Sequence, residues 1–426
     1  MKDWKNKRVT VLGLGRFGGG IAVARWLCQQ GAKVLVTDRD DAQKLSDSVR
    51  QLQGLPVEFR LGIDQQCVHD FTDTDCVVTS PAVKPDHEFL LAARDRGVPV
   101  TTEIYLFVQR CPAPVIGVTG TKGKSTTSRL IAEMLQPHFP TFLGGNIGKS
   151  LLFDLPRITE ASKVVLELSS FMLHYLGEQA WSPLRAVVTM LGQDHLDWHG
   201  SEQAYIDAKR NISRYQHPGS TLIRRTDPVS ASFPVNPGVT VLSYPDPTLP
   251  RFELSLPGEH NQQNAQAAFL ASGLDFESAQ RAIRQFRGLP HRLELVHESN
   301  GVRFYNDSIA TIPQAAMIAC DSFEPQTVIQ IIGGARKEGL NWDAMCQHLA
   351  QRCKRVLTIG QIGEDLARKC PNAEFVQTLE QAVSKAVELA RPGDVILLSP
   401  GTSSYDQFPN FEYRGQRFSE LVRNRV

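Results

Sequence analysis

Two glycine-rich segments carry residues that can hold phosphate. One reads Gly117-Val118-Thr119-Gly120-Thr121-Lys122-Gly123-Lys124-Ser125 and precedes a helical pattern with Leu130, Ile131, Met134 and Leu135 at core spacing. Backbone N–H groups of such a loop surround phosphate oxygens, Lys124 neutralises their charge, and the Ser125 hydroxyl suits Mg²⁺. The usual spacing is relaxed, because Val118 holds the first glycine position and Gly117 lies one residue earlier. The other segment, Gly13-Leu14-Gly15-Arg16-Phe17-Gly18, also joins a strand-like run to a helix, with Asp38 placed where an acid would meet a ribose. Alone it reads as the dinucleotide site of an oxidoreductase, although any nucleotide phosphate can use a glycine turn and a helix amino terminus.

The elements that must position these loops follow an α/β rhythm. Strands are expected at residues 9–13, 33–38, 76–80, 115–118, 163–167 and 185–190, separated by helical segments as in parallel sheets. The Pro-containing stretch at 110–114 marks a first boundary. From Asp227 to Pro257 prolines are dense, which predicts short strands and turns rather than helices. A helix rich in Ala and Gln is expected from His260 to about Ala271, and another near Ser201. After Gly288-Leu289-Pro290 the alternation restarts, with strands at 302–305, 327–332, 355–359 and 395–398 and a capping-box spacing at Thr378 and Gln381.

The 426 residues suit two to four domains at about 100–200 residues each. Lys and Arg number 46 against 45 Asp and Glu, so the net charge of +1 argues against a general nucleic-acid or membrane-surface binder. No stretch approaches the ~18 apolar residues of a membrane span. The charged start, Met1 to Arg8, lacks the apolar core of a signal peptide. Eight scattered cysteines without a C-x-x-C pair read as reduced thiols. A cytoplasmic monomer is expected.

The segment T-G-T-K-G-K-S-T resembles the ATP loop of the Mur ligases, which build the peptide of bacterial peptidoglycan. Further matching segments follow in order: Gly144 to Gly148 (G-G-N-I-G), Glu167 to Phe171 (E-L-S-S-F), Asp194 to Asp197 (D-H-L-D), Ala208-Lys209 and Gly258 to Asn264 (G-E-H-N-Q-Q-N). Gly288 to Arg292 (G-L-P-H-R), Asn306-Asp307-Ser308 and the tail from Ser399 to Gly415 complete the series. The resemblance is to the members that ligate glutamate to UDP-N-acetylmuramoyl-L-alanine with ATP. It implies three α/β domains: a Rossmann-like amino-terminal unit (1–106) for the UDP substrate, a central P-loop ATPase-type unit (107–287), and a Rossmann-like carboxy-terminal unit (288–426) for the amino acid. Catalysis would occur after closure of the third domain on the second.

The resemblance also implies roles. Gly120, Thr121, Lys122, Gly123, Lys124, Ser125 and Thr126 would hold ATP, together with Asn261, Asn264, Arg292 and Asp307. Ser125, Glu167 and His195 would ligate Mg²⁺, supported by Lys209 as a carbamylated lysine; by spacing alone Lys209 is a solvated helix lysine. Catalysis would rest on Lys124, Glu167, His195, Lys209 and Asp307. Gly15, Arg16, Asp38, Arg39 and Ser80 would meet the uracil and diphosphate, and Asn146 and Ser169 the rest of that substrate. Thr311, Lys337, Ser404, Tyr405 and Phe411 would hold the amino acid.

The chain departs from the family pattern at Ile309, where N-D-S-K-A-T becomes N-D-S-I-A-T, and at Ser80-Pro81-Ala82, where many relatives have S-P-G. The lost lysine leaves D- and L-glutamate both open, with the D enantiomer favoured. The remaining alternatives are a folylpolyglutamate-type ligase, a dinucleotide-dependent oxidoreductase and a P-loop switch without enzymatic activity.

Overall fold

The computed structural model describes residues 3–15, 18–284, 286, 288–337 and 340–424. The chain forms two compact units. The first comprises Met1–Pro250 and Asn264–Ala279, the second Arg251–Gln263 and Gln280–Val426.

The first unit holds two sheets. β1 (Arg8–Leu12), β2 (Lys33–Asp38), β3 (Val57–Leu61), β4 (Cys76–Thr79) and β5 (Val100–Thr101) pair in the order β3-β2-β1-β4-β5, all parallel. The second sheet contains β6 (Val115–Thr119), β7 (Thr141–Gly145), β8 (Lys163–Glu167), β9 (Arg185–Val188), β10 (Thr221–Arg225) and β11 (Thr240–Tyr244) in the order β11-β10-β9-β6-β8-β7, again parallel. All five residues of β6 are buried. That is the continuous apolar run a parallel strand needs when helices cover both faces.

The second unit holds β12 (Glu294–Ser299), β13 (Val302–Asn306), β14 (Val328–Gly333), β15 (Arg355–Ile359), β16 (Ala373–Gln377) and β17 (Val395–Leu398). Their order is β12-β13-β17-β14-β15-β16; only β12 is antiparallel, joined to β13 through the tight connection at Asn300-Gly301. Crossover order is what brings the carboxyl ends of β13, β14 and β17 together, and ligands of such sheets gather at those ends.

Every strand expected from an apolar run appears, and β10 is an interior strand that those runs did not mark. Helix starts follow their caps: Ser201 accepts from Ala204 N at 3.1 Å, and Thr378 forms both halves of the capping box with Gln381. The Pro-rich stretch is corrected in one respect, since Pro228–Ala231 forms a one-turn helix. Asp227 caps it by accepting from Ser230 N at 3.0 Å, and proline occupies the first turn, where its missing N–H costs nothing. The edge strands β3 and β16 were not expected; neither has a continuous apolar run, although β3 alternates apolar and polar residues. Among the described residues no helix is long and apolar enough to cross a membrane.

Candidate active site

The loop between β6 and the helix Lys124–Leu135 is glycine-bound for steric reasons. Gly123 stands at the helix N-cap with φ +90°, and a Cβ there would lie 2.6 Å from Asn264 Oδ1. Gly120 would place a Cβ 2.0 Å from Thr189 Oγ1. The helix has neither a side-chain cap nor an acid in its first turn, so its amino-terminal N–H groups suit an anion. Thr121 and Lys122 donate their backbone N–H groups to Met190 O, and the Thr121 hydroxyl lies 2.8 Å from the Tyr205 hydroxyl. Lys124 Nζ donates to Thr121 O at 3.0 Å, within the loop whose ligand it would neutralise. Ser125 and Thr126 begin the helix behind it.

Around this loop lie the groups expected to support a cation. Glu167 ends β8 at 2% exposure; its Oε1 accepts from Asn146 Nδ2 at 2.8 Å, while Oε2 is buried without a protein partner. An orphaned carboxylate oxygen is costly unless a cation meets it, so Glu167 fits a Mg²⁺ ligand. His195 adopts φ +51° in the connection after β9, half-exposed beside Asp194 and 4.7 Å from the Phe171 ring. Among the described residues no three His, Cys, Asp or Glu side chains form a metal cluster by themselves. A carbamate on Lys209 would add an acidic group.

Lys209 differs sharply from a solvated helix lysine. It is 1% exposed on the helix Glu202–Arg214, its Nζ donates to Gly120 O at 2.8 Å, and it lies over the Tyr205 ring. Burial first, then the nearby Lys124, pushes its pKa well below the ordinary lysine value, against the pull of Asp194 and Glu167. An amine with a depressed pKa is a nucleophile, which is what addition to CO₂ requires.

A cavity of about 680 Å³ in the same unit is lined by Gly15, Ser80, Asn146 and Ser169, joining four residues from separate segments of the chain. Ser169 also caps the following helix at Met172 N. Asp38 and Arg39 do not line the cavity; Asp38 instead accepts from Gly15 N at 3.0 Å and shapes the loop. Arg16 lies outside the described residues. Asn264 Oδ1 accepts from Thr127 Oγ1 at 3.3 Å, and Asn261 Nδ2 donates to Pro257 O at 2.6 Å.

In the second unit Asp307 follows β13. It accepts from Ser399 Oγ at 2.7 Å and from Leu293 N at 3.2 Å. Burial pushes its carboxyl up to about 7, opposed by Ser399, Leu293 and the charge of Arg292. Ser308 and Thr402 are joined through the buried Arg414, and the Ser308 hydroxyl donates to Phe411 O. Ser404 is buried, Thr311 and Phe411 are half-buried, and Lys337 and Tyr405 are exposed. Sequence reasoning passed over Ser399, Arg414 and His199. His199 lies 2.9 Å from Ser170 Oγ and is pushed down to about 4, chiefly by burial. It lies two residues beyond the D-H-L-D segment of Asp194 to Asp197.

Burial of the Asp307 carboxyl makes folding stability depend on pH. Its folded pKa is raised, so stability is greatest below the unfolded value near 3.8 and is lost as pH rises through about 7. Asp307→Asn should remove a pH dependence of about 4 kcal/mol between pH 4 and 8. Urea unfolding at both pH values measures it; identical slopes in both proteins would refute the burial of this charge.

With this geometry in hand, three family matches tile the chain: the Mur ligase MurD-like N-terminal domain over residues 7–102, the Mur ligase middle domain over 118–246, and the Mur ligase glutamate ligase domain over 291–401. A UDP-N-acetylmuramoylalanine--D-glutamate ligase of Roseiflexus sp. (strain RS-1) is 39% identical across 98% of both chains. The chain belongs to the Mur ligase family. A second ligase of the same description, from Ruminiclostridium cellulolyticum, is 34% identical across 99% of this chain and 98% of its own. Among solved structures, MurF ligase of Thermotoga maritima in complex with ADP aligns over 100% of this chain and 97% of its own, with a TM-score of 0.59 at 14% identity. At that identity the likeness is one of fold: three α/β domains of the Mur ligase kind, consistent with the three sheets. As a Mur ligase, the chain is an ATP-dependent carbon–nitrogen ligase, and the glycine loop at Gly13 lies in its MurD-like domain.

Proposed function

We propose that this Mur ligase joins D-glutamate to UDP-N-acetylmuramoyl-L-alanine in cytoplasmic peptidoglycan precursor synthesis, acting as a monomer with domains at 1–106, 107–287 and 288–426. The observation that carries the reading is full-length identity of 39% to a ligase of that description, with the phosphate loop intact at Lys124 and Ser125. The substrate carboxylate would attack the γ-phosphorus of ATP, forming an acyl phosphate as the bond to ADP breaks. The glutamate amine would then attack the acyl carbon, lose a proton, and expel phosphate. Neither step needs covalent help from the protein; positioning and charge suffice.

In this scheme the loop amides from Gly120 to Thr126 and the Lys124 ammonium carry the developing phosphate charge. Ser125, Glu167, His195 and a carbamylated Lys209 would hold Mg²⁺, which when bound supplies positive charge to phosphoryl oxygens. The cavity containing Gly15, Ser80, Asn146 and Ser169 would take the UDP-sugar. Asn261, Asn264, Arg292 and Asp307 would serve the nucleotide, and Thr311, Lys337, Ser404, Tyr405 and Phe411 the glutamate. With Ile309 in place of a lysine, the amino-acid carboxylates rely on Lys337 and hydroxyl groups. The dinucleotide-oxidoreductase reading loses its basis, because its only motif falls within the MurD-like domain.

Phosphate release is the test, measured with the UDP-linked acceptor and each glutamate enantiomer. Release should require the acceptor and D-glutamate together. Exclusive use of L-glutamate would reassign the amino acid, and no release with either would overturn the ligase.

A further inference from the structure

Gln330 is anomalous. It is fully buried at the centre of β14, Val328-Ile329-Gln330-Ile331-Ile332-Gly333, where every residue is buried and all the others are apolar or glycine. An amide in such a strand is stable only if its polar atoms are satisfied. Its Nε2 donates to Ala316 O at 3.2 Å and to Ser399 O at 3.1 Å, and Cys353 Sγ lies 3.6 Å from Oε1. Both N–H groups are therefore used on segments remote in sequence.

These contacts converge on Asp307. Ser399 N donates to Ile331 O, Ser399 O accepts from Gln330, and Ser399 Oγ donates to Asp307 Oδ2. The backbone of Asp307 donates to Leu398 O at 2.7 Å, and Gly401 N donates to Ala310 O at 2.9 Å. The side chain of Gln330 thus fixes the serine whose hydroxyl faces the carboxylate, and through Ala316 it fixes the helix Pro313–Asp321 that follows the N-D-S-I-A-T segment.

We propose that Gln330 is a positioning residue for the ligase reaction, holding Ser399 so that its hydroxyl orients Asp307. This rests on the reading of Asp307 as a nucleotide-binding group. A glutamine that merely fills the core would leave Asp307 untouched when replaced, and this separates the two roles. The charged neighbour acting on Asp307 is Arg292, which the substitution does not alter.

The experiment compares wild type, Gln330→Leu, Ser399→Ala and the double variant in the full chain. The Asp307 carboxyl is followed by ¹³C NMR, with its signal assigned by its loss in Asp307→Asn. Losing the Ser399 hydroxyl disfavours the carboxylate, so its titration midpoint should rise by about one pH unit in Ser399→Ala. Gln330→Leu should move it in the same direction, and the double variant should go no further than Ser399→Ala. The KM for ATP should rise roughly tenfold in Gln330→Leu, with the KM for the UDP-sugar peptide unchanged. An unshifted midpoint in Gln330→Leu overturns the proposal, whether or not the variant is less stable. A shifted midpoint with an unchanged KM for ATP retains the Gln330–Ser399–Asp307 linkage and overturns the nucleotide role of Asp307 on which the proposal rests.

Discussion

Lys124→Met is expected to reduce kcat/KM for ATP by roughly a thousandfold, on the order of 4 kcal/mol of lost transition-state stabilisation. The lysine follows the N-cap Gly123 of a helix whose first turn carries no acid, beside amides that need an anion. Methionine keeps an unbranched stem and removes the ammonium, with its charge and its N–H donors. The ammonium donates to Thr121 O at 3.0 Å, within the loop that carries it. Affinity for UDP-N-acetylmuramoyl-L-alanine should stay within about twofold, because Lys124 does not line the 680 Å³ cavity. Steady-state kinetics with calorimetric titration of the UDP-sugar checks both parts. Equal losses for the two ligands would point to a collapsed loop and against a specific phosphate contact.

Lys209→Ala should lower kcat by at least about a hundredfold, with added bicarbonate giving no recovery. Two effects combine. Gly120 O loses its donor at 2.8 Å and is left buried at a cost of about 1–3 kcal/mol. The larger effect would be chemical: under the proposed carbamylation the neutral amine would add CO₂ and release a proton, placing a carboxylate where a cation would otherwise stand. Two controls follow. Wild-type protein should lose activity when stripped of CO₂ and regain it with bicarbonate, and ¹³C-bicarbonate should give a carbamate NMR signal that is absent from the variant. Full activity of Lys209→Ala would end the carbamate reading and leave Lys209 as the tether of Gly120.

Much of the architecture was legible because it is written in local patterns. The apolar runs of β6, β14 and β17 are as buried as their composition demands, and the spacing of Thr378 and Gln381 yields a real capping box. Strands at sheet edges were harder to see. β16 shows neither a continuous apolar run nor clean alternation, whereas β3, Val57-Glu58-Phe59-Arg60-Leu61, alternates strictly and its signal was passed over. The site shows the same division. Gly15, Ser80, Asn146 and Ser169 come from four separate segments, yet all line one cavity. Asp38 stood at the expected strand end, but the Gly15 amide claims its carboxylate, a pairing that depends on how the loop folds back across β2.

By itself the sequence determined the glycine-rich loops, the alternation of α and β elements with ten of the strands, and the chemical identity of the candidate residues. Those features depend on neighbours a few positions apart, where backbone preference and side-chain spacing act directly. The tertiary structure alone decided which of those residues carry unusual protonation. Lys209 looks solvent-facing in a helical repeat, and Asp307 looks like an ordinary loop acid. Packing by distant segments removes water from both, depressing the lysine and raising the aspartate. It also decided that Glu167 keeps an unpaired oxygen and that Gln330 reaches Ser399. Desolvation and long-range hydrogen bonds depend on what the fold places around a group, and one-dimensional spacing does not contain that information.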